Sequence, residues 1–313
     1  MSIAVIFNGQ GAHYQGMGQD FVQEFNEAQA VYKAIETITG YPVRQWISTD
    51  FDALEETRYA QVAIAATSLA ILESIEDKLP AIDYMAGLSL GEYSALIASG
   101  AMQIDEGFEL LKKRGELMTA HCNTLRETSE ISMDAVMKMP FDTIQEIVAD
   151  VNVEEDQLYI ANINSSAQVT IAGTKIATTQ FKTLAREQGY KRIMPLKVEG
   201  PFHTPYMSAV CAPFSEALES VPFREMAVPV ISNTTVAPHT TEEIRELLVR
   251  HLVEPVRWQE TIDYLVDKGV TKVIQIGPGK TLANLLKREE NVPETLVIDK
   301  VEDVEKIESF IGG

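Results

Sequence analysis

The chain has 313 residues, 45% of them hydrophobic and 23% charged, with a formal net charge of −20. This is the mix of a globular protein with one large core or two modest ones, and its acidity excludes general nucleic-acid binding, which needs clustered Lys and Arg. Two cysteines form neither a disulfide framework nor a metal-ligand spacing, and no apolar run approaches the ~18 residues that span a bilayer.

The opening "MSIAVIFNGQG" lacks a basic n-region and a long apolar run, so a cytoplasmic protein is expected, with no membrane association. A strand over residues 3–7 runs into the glycine-rich loop "NGQGAHYQGMG". Helical periodicity follows over about 21–38 and 60–79. The short strand "YMAG" leads through Ser89 into the helix "GEYSALIASG", and another helix covers about 106–122. Apolar strands alternating with helices predict an α/β sheet covered on both faces.

Between about 128 and 197 the pattern changes. It reads strand "ISMDAVMKM", helix "FDTIQEIVADV", strands "LYIANI" and "QVTIAG", helix "KIATTQFKTLAREQG", strand "KRIMPLKV". That order, β-α-β-β-α-β, is the ferredoxin-like unit. The α/β alternation then resumes: a helix from about 206, strand "VPVIS", helices near 241–252 and 258–268, strand "KVIQI" and helix "TLANLLK". The expected division is a large part, 1–127 and 198–313, interrupted by a small one, 128–197.

Two motifs tempt and fail. Gly9-x-Gly11 after the first strand resembles a dinucleotide fingerprint, but Tyr14 stands where the third glycine belongs. "GPGKT" at 277–281 mimics the end of a P-loop, but Ile274 replaces its first glycine and Pro278 removes a backbone donor. Both read better as turns, and nothing in the sequence calls for a metal.

The stretch Gly87-Leu88-Ser89-Leu90-Gly91 lies between a strand and a helix. In that setting the two glycines let a sharp turn pack tightly and present the hydroxyl, while the helix N-terminus favours developing negative charge. An ordinary strand-to-helix turn remains the alternative. A serine nucleophile needs a base. Of five histidines, His203 in "VEGPFHTPYM" sits at a strand end, where sites form in α/β folds. His13, in the glycine loop, is a weaker competitor, and His121 and His239 read as surface residues. Arg114 in "KKRGEL" stands beside Gly115, which costs about 1 kcal/mol of helix propensity; close packing or ligand approach would explain it. Its planar fork suits a carboxylate-bearing substrate.

Taken together these residues resemble the bacterial malonyl-CoA:acyl carrier protein transacylases. The resemblance covers nearly the whole chain: "NGQGAHYQGMG", "TRYAQVAI", "GLSLGEYSAL", "KRGELM", "ANINSSAQVTIAG", "GPFHTPYM", "EPVRW" and "IGPGKTL" follow the family's landmarks in order. It implies an α/β-hydrolase-like large subdomain with an inserted ferredoxin-like one. It implies Ser89 as nucleophile, His203 as base, and the amides of Gln10 and Leu90 as oxyanion hole. Arg114 would pair with the malonyl carboxylate, and Gln61, Asn162, Phe202 and Met118 would line the site. The main-chain carbonyl of His251, where the family commonly has Gln, would orient His203. Phe202 before the base goes with malonyl rather than branched units in related domains. The partners implied are malonyl-CoA and acyl carrier protein, acting on a monomer without bound cofactor or metal.

Asn8 and Val62 depart from the family's usual residues, and "ISMDAVMK" carries Asp134 where a small-residue run is usual. Rival readings are a serine acyl-thioester hydrolase, an acyltransferase serving polyketide synthesis, and a non-catalytic carrier-binding protein. Because carrier proteins are themselves acidic, docking would need a local basic patch. The densest is Lys182, Arg186, Lys191, Arg192 and Lys197, with a second at Lys280, Lys287 and Arg288.

Overall fold

The computed structural model describes residues 2–153 and 157–312. Four strands form a parallel sheet: β1 (Ser2–Phe7), β2 (Tyr84–Gly87), β7 (Val270–Ile276) and β8 (Glu294–Ile298), in the order β2-β1-β7-β8. Four more form an antiparallel sheet: β3 (Ile131–Met137), β4 (Leu158–Ser165), β5 (Gln168–Thr174) and β6 (Ile193–Pro195), in the order β4-β5-β3-β6. With helices Phe141–Val151 and Lys175–Glu187 this second sheet is the ferredoxin-like unit. The fold class is therefore the expected one, an α/β-hydrolase-like large part carrying an inserted ferredoxin-like small part.

Alternation along β1 shows why the parallel sheet is covered on both faces. Ile3, Val5 and Phe7 join the core under helix Thr57–Ile75, while Ala4 and Ile6 join Trp258, Ile262 and Leu282 behind the sheet. The chain leaves β1 for β2 on one side and reaches β7 on the other. The strand order thus reverses beside β1, and the loops after β1 and β2 emerge together, in register at Phe7 and Gly87. Such a switch point is where α/β sheets place their sites.

Some expected elements differ. The helix expected over 21–38 is two, Gln19–Glu24 and Asn26–Thr39, broken where Phe25 turns extended. Helix Ile104–Thr128 outruns the expected 106–122; its start is fixed by the Gln103 amide donating to Glu106 Oε2 at 2.8 Å. "VPVIS" makes only isolated bridges: Pro229 has no N–H to donate, and the chain turns back at once through Ser232–Val236. "KRIMPLKV" pairs over three residues only. Strand β8 was not foreseen.

The small sheet is docked to the large part through β4, where the Ile163 amide donates to the Val256 carbonyl at 2.8 Å and the Val256 amide to the Ala161 carbonyl at 2.9 Å. Asp134 is fully buried on β3, held by Lys182 Nζ at 2.7 Å and the Ser132 hydroxyl at 3.2 Å. Asn8 ties the first loop to the "GPGKT" turn: its amide donates to the Pro278 carbonyl at 2.7 Å, and its oxygen accepts from the Leu282 amide at 3.2 Å. The turn resembling a phosphate loop is a clamp between loops.

Candidate active site

Ser89 sits at φ 53°, ψ −102°, a conformation that L-residues rarely hold. The glycines on either side make it possible. A Cβ on Gly87 would lie 1.9 Å from the Gly91 carbonyl carbon, and one on Gly91 would lie 2.1 Å from the Phe7 carbonyl oxygen. Strand β2 therefore reaches the helix Leu90–Ala98 through a turn with no room for side chains, and the serine is the residue pushed outward.

His203, also at positive φ (60°), brings its Nε2 to 2.7 Å from the Ser89 hydroxyl. Its Nδ1 lies 2.7 Å from the His251 main-chain carbonyl. A carbonyl only accepts, so Nδ1 carries the proton and Nε2 is free to accept from Ser89. Burial, assisted by the Arg114 charge and opposed by the His251 carbonyl, lowers the His203 pKa to about 3. The base is therefore neutral across the physiological range. The His251 ring stacks on it, with centroids 4.8 Å apart.

Arg114 is 1% exposed. One guanidinium nitrogen, Nη1, donates to Gln61 Oε1 at 2.7 Å, and the group lies over the Tyr93 ring at 5.0 Å. Its Nε and Nη2 are buried without a hydrogen-bond partner among the described residues. A desolvated cation with two free donors in fork geometry is built for a carboxylate. Gln61 in turn donates to Met118 Sδ at 3.5 Å. Gly115 is accounted for by close packing: a Cβ there would lie 2.6 Å from the Arg58 Cα on the neighbouring helix.

The Gln10 side chain donates to Thr57 Oγ1 at 3.0 Å, which fixes the loop after β1. The same loop lies against the elbow, since a Cβ on Gly9 would lie 2.4 Å from the Leu88 carbonyl oxygen. The backbone amides of Gln10 and Leu90 have no hydrogen-bond partner among the described residues. Phe202 is buried next to the base. Asn162 lies in β4, paired with Thr170 and bridging to Val256.

Two histidines are not the surface residues expected. His239 is buried, its Nε2 2.6 Å from Glu92 Oε1; a buried carboxylate needs such a partner. His121 is partly buried, its Nε2 2.7 Å from the Tyr206 carbonyl. His13 rests against Phe51 and not at the serine. Asn233 and Glu92 were missed in the sequence. Among the described residues no group of three or more His, Cys, Asp or Glu is placed to hold a metal, and no helix is long and apolar enough to cross a membrane.

A half-buried serine paired with a buried histidine on an elbow, beside two free amides, defines an enzyme of acyl transfer. Residues 5–307 match the acyl transferase domain family, and the chain belongs to that family. It is similar to the malonyl CoA-acyl carrier protein transacylase of Bacillus subtilis (strain 168), with 34% identity covering 97% of this chain and 95% of the other. The MCAT structure from Streptococcus pneumoniae superposes with a TM-score of 0.92 at 36% identity, covering 98% of this chain and 100% of that one. A malonyl-transacylase solved in complex with its type II PKS acyl-carrier protein superposes equally, with a TM-score of 0.92, 29% identity and 100% of both chains covered.

Proposed function

We propose that this chain transfers the malonyl group of malonyl-CoA to the phosphopantetheine thiol of acyl carrier protein, in fatty acid biosynthesis in the cytoplasm. The observation that carries the reading is Arg114, a buried cation with two donors unpartnered among the described residues, whose charge acts on the catalytic His203. A hydrolase of simple fatty acyl thioesters has no use for it. The names of the relatives support the same substrate.

Ser89 Oγ attacks the thioester carbonyl as His203 Nε2 takes its proton. The amides of Gln10 and Leu90 hold the oxyanion, and collapse of the tetrahedral intermediate expels CoA thiolate, which receives the proton from His203. The carrier's thiol then gives its proton to His203 and attacks the malonyl ester, and Ser89 leaves with that proton. This is ping-pong transfer, with both thiols brought by the substrates and no bound cofactor or metal. Each oxyanion donor is worth about 10²–10³-fold in rate. Gln61 and Met118 set the height of the Arg114 fork, and Phe202 crowds an α-methyl branch, a preference of ~1–3 kcal/mol. Asn162 is kept as a lining residue, and the working form is a monomer.

Intact mass after brief mixing with malonyl-CoA tests the reading. The expected result is a malonyl adduct that Ser89→Ala cannot form and that added carrier protein discharges. No adduct, or discharge only to water, overturns it. The type II PKS carrier in complex with a relative favours polyketide supply as the second reading. Fatty acid and polyketide carriers compared as acceptors decide between them.

Carrier docking needs exposed cations. Lys182 is not available, since it neutralises buried Asp134. Arg186, Lys191, Arg192 and Lys197 are exposed, close to the exposed Met194 on the edge strand β6 and to Leu196 just after it. Lys280, Lys287 and Arg288 are exposed as well. The double variant Lys191→Glu, Arg192→Glu is expected to raise the carrier-protein KM about tenfold and to spare acylation by malonyl-CoA. Equal loss in both half-reactions removes this patch from the proposal.

A further inference from the structure

A serine at φ 53°, ψ −102° does not hold itself there. Its amide donates to Asn233 Oδ1 at 2.7 Å, and Asn233 Nδ2 donates to the Gly87 carbonyl at 2.8 Å. One side-chain amide thus spans the two peptide groups that bracket Leu88, as a neighbouring strand would, across 144 residues of sequence. The main chain of the same residue is also engaged. Its N–H donates to Glu92 Oε2 at 3.2 Å, and its carbonyl accepts from the Arg257 amide at 3.1 Å. Glu92 stands in the first turn of the helix that follows the serine, fully buried and braced by His239. Strand, elbow and helix are therefore all fastened to one residue.

We infer that Asn233 is a positioning residue for acyl transfer, a clasp that holds the elbow in its strained conformation with Glu92 and His239 as its brace. The inference rests on the proposed function for its reaction, but its geometry does not. By occupying the Ser89 N–H, Asn233 fixes the peptide plane between Leu88 and Ser89, while the next plane, which carries the Leu90 amide, is held by the Glu92 N–H donating to the Ser89 carbonyl at 3.1 Å. Without Asn233, the elbow relaxes toward an ordinary φ and the hydroxyl leaves Nε2.

Sequence could not show this. Asn233 in "ISNTT" reads as a turn residue, and it does occupy a turn, closed by the Val236 amide on the Ser232 carbonyl at 3.0 Å.

Rapid-mixing kinetics of malonyl-enzyme formation, with Asn233→Ala and Asn233→Asp, tests it. The alanine variant is expected to lose at least about 30-fold in acylation rate at saturating malonyl-CoA, with Kd changed less than about threefold. The aspartate variant keeps an acceptor for the Ser89 amide and is expected to fall between alanine and wild type. Thermal melts report the folded fraction of each. An alanine variant that acylates at the wild-type rate per folded molecule overturns the inference, as does a loss carried by Kd. If the alanine variant does not fold, the aspartate variant decides: slower acylation at unchanged Kd supports the clasp, and the wild-type rate overturns it. Sulfonylation of Ser89 by phenylmethylsulfonyl fluoride across the same series separates the two readings. Should wild type take up no malonyl group, the functional reading falls, and the order of sulfonylation rates still decides on Asn233.

Discussion

Arg114→Ala is expected to lower kcat/KM for malonyl loading by about two to three and a half decades, while loading of an acetyl group from acetyl-CoA stays within about threefold of wild type. Truncating one partner of a buried ion pair costs about 3–5 kcal/mol, and about 1.4 kcal/mol is a decade of rate. Acetyl carries no carboxylate, so it loses nothing when the fork is removed. The guanidinium is fixed before substrate arrives by Gln61 at 2.7 Å and by the Tyr93 face. Arg114→Lys is therefore no rescue: a point charge on a flexible stem cannot reproduce the fork or keep the Gln61 contact. Because the clamp holds the carboxylate in ground and transition states alike, the loss is expected mainly in KM. Single-turnover loading with both thioesters checks it. Unchanged malonyl loading would sink the substrate assignment.

What could be read from sequence was what local chemistry dictates. The elbow glycines announce a turn that excludes side chains, and period-two alternation followed by helical period marks the β-α-β-β-α-β unit. What could not be read depends on residues brought together from far apart. Glu92 lies in the apolar helix "GEYSALIAS" and looks like that helix's solvent face; its burial shows only when His239, 147 positions on, is folded against it. His239 in "APHTT" has the composition of a surface loop for the same reason. Lys182 looks like one of a row of free cations until Asp134, on a strand facing its helix, claims it. Strand β8 is missed because "ETLVI" follows a charged, proline-marked stretch, and only its pairing with β7 makes it a strand. The site itself was legible wherever a motif carries its own geometry, as at Ser89, and illegible where a partner supplies it, as at Asn233.

His251→Gln is expected to keep acyl-transfer activity within about threefold at pH 7.5 and to make the protein more resistant to acid. The two effects come from different parts of one residue. His203 uses the main-chain carbonyl of residue 251, which any side chain leaves in place. The His251 ring is a liability: it is fully enclosed, stacked on His203, and burial together with the neighbouring positive charges holds its pKa well below the ordinary 6.5. Glu92 Oε2 is 3.5 Å from its Nδ1, but that carboxylate is already engaged by His239 at 2.6 Å. Both rings are thus neutral when folded and titrate near 6.5 when unfolded. Below that pH the unfolded chain binds protons that the folded chain refuses, so stability falls as pH falls. Well below pH 6.5 the loss approaches about 1.4 kcal/mol per ring per pH unit for as long as the ring stays neutral in the fold. Against a total of about 5–15 kcal/mol this decides whether the fold survives. Glutamine removes one ring and halves the slope, which thermal melts of both proteins at pH 7.5 and 5.0 measure directly. Equal acid sensitivity would show that the ring is protonated in the fold, and lost activity at pH 7.5 would show that the side chain, rather than the carbonyl, orients His203. The acylation rate itself is expected to show no step at pH 6.5, because a base with its pKa lowered to about 3 stays neutral far below that point.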